Sequence, residues 1–339
     1  MVQARKLALA ALAASAFGAT AQAQAPLTYS SWVPPTHHLT IWQANWAADV
    51  EKATGGRVKF QGLPKAPAAP PGTFDAVRDG LVDLSYVTAS YTPARHILPL
   101  MAELPGAGET AEINSVAYSR IHWKYFQKVG EYKGVKLLAV WTHGPGQMFT
   151  KKQINSLSDF QNLKIRTGGG ISAEVITALG GSPFFKPAPE SYELLNSGVA
   201  DGVFFPLESI VSFKLDKVIG QGTIFPGGLY SSSFGFFINE DKWNKLARQD
   251  QAIIEKYAGE YAARSNGKSW DAADQLGLNA LKAAGARIVT ADPAMRAEAQ
   301  KRSGPIIEDW IKKASAKGVD AKAILAEFHA ELKKVAAGK

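Results

Sequence analysis

Apolar residues recur along this chain with two distinct periods. Leu39, Trp42, Trp46 and Val50 repeat at three- and four-residue spacing, the period of one helix face, and predict a helix from "PPTHHL" to about Ala53. "TGG" follows, and glycine commonly sits just past a helix C-terminus. Shorter apolar runs predict strands: "LTYSSWV" (Leu27 to Val33), "RVKFQ", "LVDLSYV" (Leu81 to Val87), "VKLLAVW" (Val135 to Trp141), "KIR", "VADGVFFP" and the start of "SSSFGFFINEDKWNKL". Between them, "TFDAVRDG", "ISAEVITAL" and "SYELLNSG" predict short helices, and Glu109 to about Tyr132 a long one. From Gln249 the pattern is mostly helical, broken by "RIVT" and Pro293.

Strands alternating with helices over so much of the chain predict an α/β class with largely parallel sheets. The length and the helical tail predict two α/β lobes rather than one. In open α/β sheets, ligands bind outside the carboxyl ends of the strands. Candidate site residues therefore fall in the loops after "LTYSSW", "LSYV", "LLAVW", "KIR" and "GVFF".

The first residues change the picture of compartment. Arg5 and Lys6 precede "LALAALAASAFGA", and "AQA" (Ala21 to Ala23) has the small-x-small pattern of a cleavage site. Residues 1–23 read as a secretory signal peptide, so the mature chain should begin near Gln24 and be periplasmic. That apolar run is shorter than the roughly 20 residues a membrane-spanning helix needs, and no later window approaches it, so no stable membrane insertion is expected. There are no cysteines. A chain of this length can bury enough surface to fold without disulfides in an oxidising compartment. The net charge is +8, two of it from Arg5 and Lys6, and the basic residues are dispersed rather than striped. Nucleic acid is not an expected partner.

The motifs argue against an enzyme. There is no cysteine nucleophile, no G-x-S-x-G elbow, no H-E-x-x-H and no G-x-x-x-x-G-K-[ST]. His37 and His38 are adjacent, and on a helix adjacent side chains diverge by about 100°, which makes a poor metal pair. The loops assigned to the cleft are poor in acids. No metal and no cofactor is expected.

One stretch raises a sharper question. In "QNLKIRTGGGISAEVITALGG", a strand ends on Arg166 and three glycines lead into a helix. The glycine spacing does not fit a phosphate loop. Two readings stay open. Arg166 and the helix N-terminus together could clamp an anion, since the terminus offers free N–H groups and the guanidinium suits a carboxylate. Alternatively Arg166 pairs with a local acid such as Glu174.

The order of several segments carries more. "VEKATGGRVKFQ", "FDAVRDGLVDLSYV", "INSLSDFQNLKIRT", "ITALGGSPFFKPAPESYELLNSGVADG" and "GFFINEDKWNKL" together resemble the extracytoplasmic substrate-binding proteins of TRAP transporters, the DctP-like family. The resemblance covers nearly the whole mature chain, and the run from "SDFQNLKIR" to "ELLNSGVADG" is its most specific part. It implies a two-lobed periplasmic clamshell with long C-terminal helices. The first lobe would take residues 24–146 with a returning segment near 234–260, the second residues 147–233, and residues 261–339 would pack on both. It implies a receptor that closes on a small organic acid and delivers it to the membrane permease subunits of a TRAP transporter. It also implies that Arg166, the arginine of "KIR", grips the ligand carboxylate.

Two departures narrow the ligand. Many family members carry a second arginine shortly after the strand equivalent to "VKLLAVW", where this chain has Gly146 and Gln147. Many carry a polar amide where this chain has Phe205. One cation and an apolar wall disfavour a dicarboxylate, whose second charge would be buried unpaired. A monocarboxylate with an aromatic or apolar body is expected. Trp32, Tyr91, Tyr230 and Phe234 are candidate walls, and His37 and Gln147 candidate polar contacts, although each alone is equally a packing or capping residue. The alternatives are a receptor for another importer or sensor, or an exported enzyme on the same scaffold.

Overall fold

The computed structural model of the protein describes residues 25–339, so the expected signal peptide lies outside the described residues. The strands are β1 (Leu27–Tyr29), β2 (Phe60–Gly62), β3 (Leu84–Thr88), β4 (Val135–Thr142), β5 (Gln147–Thr150), β6 (Lys164–Thr167), β7 (Ser182–Phe185), β8 (Gly202–Phe205), β9 (Gln221–Ile224), β10 (Ser233–Asn239) and β11 (Arg287–Thr290). The helices are α1 (His38–Ala53), α2 (Thr73–Arg78), α3 (Ala111–Ile121), α4 (Gly170–Leu179), α5 (Ser191–Asn196), α6 (Ser209–Ser212), α7 (Glu240–Lys245), α8 (Arg248–Lys256), α9 (Gly259–Ala283), α10 (Pro293–Ser315) and α11 (Ala321–Ala336).

The strands form a five-stranded sheet, order β2-β1-β3-β10-β4, and a six-stranded sheet, order β11-β9-β5-β8-β6-β7. The expectation of largely parallel sheets needs a correction. β10 runs antiparallel to both β3 and β4, and β5 antiparallel to both β8 and β9. These are the strands that receive the chain at its first two crossings between sheets, after β4 and after β9. The two crossing segments also pair with each other. Gly146 N–H donates to Tyr230 O at 2.8 Å, Leu229 N–H to Gly146 O at 2.9 Å and His143 N–H to Ser232 O at 3.2 Å. A two-stranded ribbon thus joins the lobes. The C-terminal region is not purely helical either, because β11 lies parallel to β9 at the edge of the second sheet.

The helix-period face is confirmed in packing. Leu39, Trp42, Trp46 and Val50 of α1 are all buried, with Trp42 and Trp46 meeting the ring of Phe236 edge-on. Each such side chain contributes on the order of 1.5–3 kcal/mol by leaving water. The long helix expected to Tyr132 breaks sooner. α3 ends at Ile121 and passes into a π-helical turn, His122–Phe126, then to Gly130 in the left-handed region with φ 77°. The widened turn keeps both His122 and Phe126 buried.

α9 ties the two halves together. The Asp271 carboxylate accepts the Ala111 and Glu112 N–H groups at 2.6 and 3.0 Å, which caps α3. One turn on, Asp274 accepts the Glu208 N–H at 2.7 Å. Gly267 and Gly277 sit against the backbones of Glu112 and Leu207 so closely that a Cβ on either would collide.

Candidate ligand-binding site between the lobes

Most of the predicted loops meet at one cavity, about 530 Å³ including its mouth. Trp32, His37, Tyr91, Arg166, Phe205, Tyr230 and Phe234 all line it.

Arg166 is the penultimate residue of β6, with only 2% of its surface exposed. Its Nε–H donates to Lys186 O at 2.9 Å, and its guanidinium lies over the Phe205 ring, 4.4 Å from the centroid. The Tyr91 hydroxyl lies beside it and accepts the Ala188 N–H at 3.0 Å. Burial pulls the Arg166 pKa down, and the hydroxyls of Tyr91 and Tyr230 oppose that. The surface-pair reading fails, because Glu174 faces Lys313 at 3.8 Å and no carboxylate among the described residues forms an ion pair with Arg166. Among the described residues lining the cavity, Arg166 is the only lysine or arginine.

The helix N-terminus half of the clamp needs correcting. The amide of Ile171, in the first turn of α4, points at the Glu103 carboxylate instead. Glu103 is fully buried and also accepts from Ser90 Oγ at 2.8 Å, and from Ser233 N and Oγ at 3.0 and 2.9 Å. The positive end of α4 is therefore matched internally.

The aromatic wall is built by side chains that hold one another. Trp32 donates its Nε1–H to Tyr86 O at 2.9 Å and meets the Tyr91 ring edge-on at 5.7 Å. These contacts, with Ser31 Oγ near Tyr86 Oη at 2.8 Å, end β1 at Tyr29 rather than at Val33. Tyr230, on the crossing ribbon, stacks on Phe204 at 5.9 Å. Phe205 stacks on Phe213 at 5.6 Å.

A profile of the DctP family, described as bacterial extracellular solute-binding protein family 7, matches residues 29–313. The chain belongs to this family. A TRAP periplasmic solute-binding protein from Bordetella bronchiseptica, solved with bound (R)- and (S)-mandelate, is 46% identical with a TM-score of 0.89, covering 92% of this chain and 99% of that one. A marine metagenome TRAP solute-binding protein described as specific for aromatic acids, solved with 3-hydroxybenzoate, is 29% identical with a TM-score of 0.85, covering 91% and 98%. The outer membrane transporter protein TsaT of Comamonas testosteroni is 28% identical over 96% of this chain and 97% of its own length. The protein is thus a TRAP-type solute-binding protein with the two-lobed clamshell of that family, and the family and fold are those of receptors that serve membrane permeases. Among the described residues no helix is long and apolar enough to cross a membrane.

Within this family 7 receptor, Gln147 lies elsewhere than expected. Its Oε1 accepts the Phe225 N–H at 2.7 Å and its Nε2 donates to Phe225 O at 3.3 Å, so its amide is spent on pinning the crossing ribbon outside the cavity. His37 faces the cavity but not as a helix-interior residue. It is the N-cap of α1, and its Nδ1 accepts the Leu39 N–H at 3.1 Å. Because that backbone is extended, the His37 and His38 rings stack 4.8 Å apart instead of diverging.

This arrangement exposes a residue the sequence reading missed. Glu208, two residues past Pro206, lines the cavity and lies 3.1 Å from His37 Nε2 and 3.8 Å from His38 Nε2. The signal was present, an acid in the loop after "GVFF", and it corrects the view that the cleft loops lack acids. The three groups lie within 4.8 Å of one another, close enough to suggest a cation site. The N-cap bond argues otherwise. An Nδ1 that accepts a backbone N–H leaves the ring proton on Nε2, and a protonated nitrogen does not ligate a metal. His37 Nε2 instead lies 3.1 Å from Glu208 Oε1. Burial holds His37 at about 3, so this is a neutral imidazole beside a carboxyl group, not a fixed ion pair. Burial pushes Glu208 up to about 7.

Proposed function

We propose that this chain is the periplasmic receptor of a TRAP transporter for an organic monocarboxylate with an aromatic or apolar body. Residues 1–23 would direct export. Residues 24–146 with 234–260, and residues 147–233, would act as the two lobes, moving about the crossing ribbon. Arg166 would anchor the carboxylate, with Trp32, Tyr91, Phe205 and Tyr230 enclosing the rest.

The observation that carries this reading is a buried guanidinium with no acidic partner among the described residues, set on an aromatic ring in the wall of a cavity lined by several aromatic side chains. A buried cation without a counter-ion is costly, and a ligand carboxylate is the group that relieves it. The mandelate and 3-hydroxybenzoate bound by the similar receptors belong to this chemical class. A ligand that bridges both lobes stabilises the closed form, which the permease would recognise.

The test is a thermal-shift screen of the mature chain against aromatic monocarboxylates, aliphatic acids and dicarboxylates, repeated on Arg166→Ala. An aromatic monocarboxylate should raise the melting temperature of the wild type, and the variant should lose about 3 kcal/mol or more of binding energy. A dicarboxylate or sugar acid as the best ligand would refute the apolar-wall reading. Equal binding by Arg166→Ala would refute the anchor.

A further inference from the structure

The cavity has two polar ends. Arg166 forms one. Glu208 forms the other, with its Oε1 3.1 Å from His37 Nε2. Apolar rings lie between them. The guanidinium rests on Phe205, Phe205 stacks on Phe213 at 5.6 Å, and Phe213 reaches the His37 ring at 5.7 Å. Resting on the reading of Arg166 as carboxylate anchor, we propose that Glu208 is a second recognition residue, which accepts a hydrogen bond from a ring hydroxyl that the bound acid carries away from its carboxylate.

The hydrogen-bond inventory supports this. Glu208 is 1% exposed and accepts from Ser209 Oγ at 3.1 Å and from Ser212 Oγ, with His37 Nε2 3.1 Å from its Oε1. A carboxylate accepts about four hydrogen bonds, so this set leaves capacity on a group that lines the cavity. His38 does not fill it, since its Nε2 is 3.8 Å away. An unsubstituted ring would set hydrocarbon against a buried acceptor, and sites built to bond a hydroxyl discriminate strongly against analogues that lack it. A second carboxylate would meet an acid there with no cation beside it.

A rival role uses the same contact. His37 lies between β1 of the first sheet and α1, and Glu208 follows β8 of the second, so their contact also bridges the lobes. A pure bridge would aid every ligand alike. The ratio of two affinities separates the roles.

Calorimetric titration of the mature chain with benzoate, 3-hydroxybenzoate and 4-hydroxybenzoate provides that ratio, on the wild type, Glu208→Gln and Glu208→Asp. At least one hydroxybenzoate should bind the wild type about tenfold or more tightly than benzoate, and the ratio should collapse toward one in Glu208→Gln. Equal wild-type affinities overturn the inference whether or not either variant folds. So does a ratio that survives the substitution, or a loss that falls equally on all three acids, which would mark the pair as a bridge only. Acids that require Arg166 but show no hydroxyl preference sink this inference and leave the anchor standing. If none of the acids binds, or if Arg166→Ala binds them as the wild type does, the anchor reading falls and this inference falls with it.

Discussion

Glu103 and Glu208 are a matched pair of buried acids with different work. Both are almost inaccessible to water, both are pushed up to about 7 by burial, and both are held by serines. Glu103 receives donors from Ser90, from Ser233 on β10 and from Ile171 on α4, so its acceptors are spent on joining both lobes to the crossing ribbon. Glu208 receives its two donors from its own short turn, has His37 Nε2 3.1 Å away, and keeps a side to the cavity. A buried acid whose acceptors are filled by the fold is a tie. One with capacity left toward a cavity is available to a ligand. The difference is read from the donor inventory, since burial and charge are the same.

The largest effect that could break this comparison is on stability. Glu103→Ala strands the Ser233 and Ile171 amides, and should cost about 3–5 kcal/mol in urea denaturation. Glu208→Ala should cost less than about 2 kcal/mol, because its partners are side chains that can turn or reach water in the cavity. Equal losses would erase the distinction. A middle-sized effect concerns the ribbon between them. A Cβ at Gly146 would collide with the Tyr230 ring. Gly146→Ala should therefore cost about 1–3 kcal/mol, as overpacking does, with affinity for the best acid falling alongside the melting temperature. Unchanged affinity would show that the Tyr230 wall does not matter to the ligand.

The smallest effect is the pH dependence. His37, His96 and His122 are held at about 3 and His143 at about 4, all by burial. A depressed folded-state pKa gives stability that is present above the unfolded value of about 6.5 and lost as pH falls toward 4. Glu103 and Glu208 have raised values, so their term has the opposite sign: present below about 4.5 and lost as pH rises through 7. Asp274, raised by burial, acts with them. Glu131, Glu174 and Asp271 are raised by burial as well, and His38 and His329 lowered, so the two sets oppose each other over the range from about 6.5 to about 4.5. Glu103→Gln removes one acid from that balance, so on acidification its stability should fall relative to the wild type. A variant whose urea midpoint follows the wild type at every pH would contradict the assignment.

Periodicity made α1 legible, because the buried face of a helix repeats within a few residues. The end of "KIR" was legible because a cation where a strand meets a glycine loop has few structural uses. Strand direction was not, since composition does not record which way a crossing strand enters its sheet, and β5 and β10 both enter reversed. Gln147 was misread because its partner Phe225 is 78 residues away. The His37–His38 geometry was misread because helical divergence applies inside a helix, and His37 stands just outside one. Glu208 was overlooked because only the folded turn reveals that an acid after Pro206 points back at His37.

The two glycine notches on α9 have a mechanical meaning. They lie ten residues apart, about 15 Å of helix rise. One seats the start of α3, and the other seats the loop that carries Glu208. With no side chain at either notch, the separation of those two parts is set by the pitch of a helix, as in a caliper with fixed jaws. In the closed form, the width of the jaw is then largely independent of what lines it. A chain of this design would change its cargo by exchanging wall side chains such as Phe205 or Phe213, while the gauge stays the same.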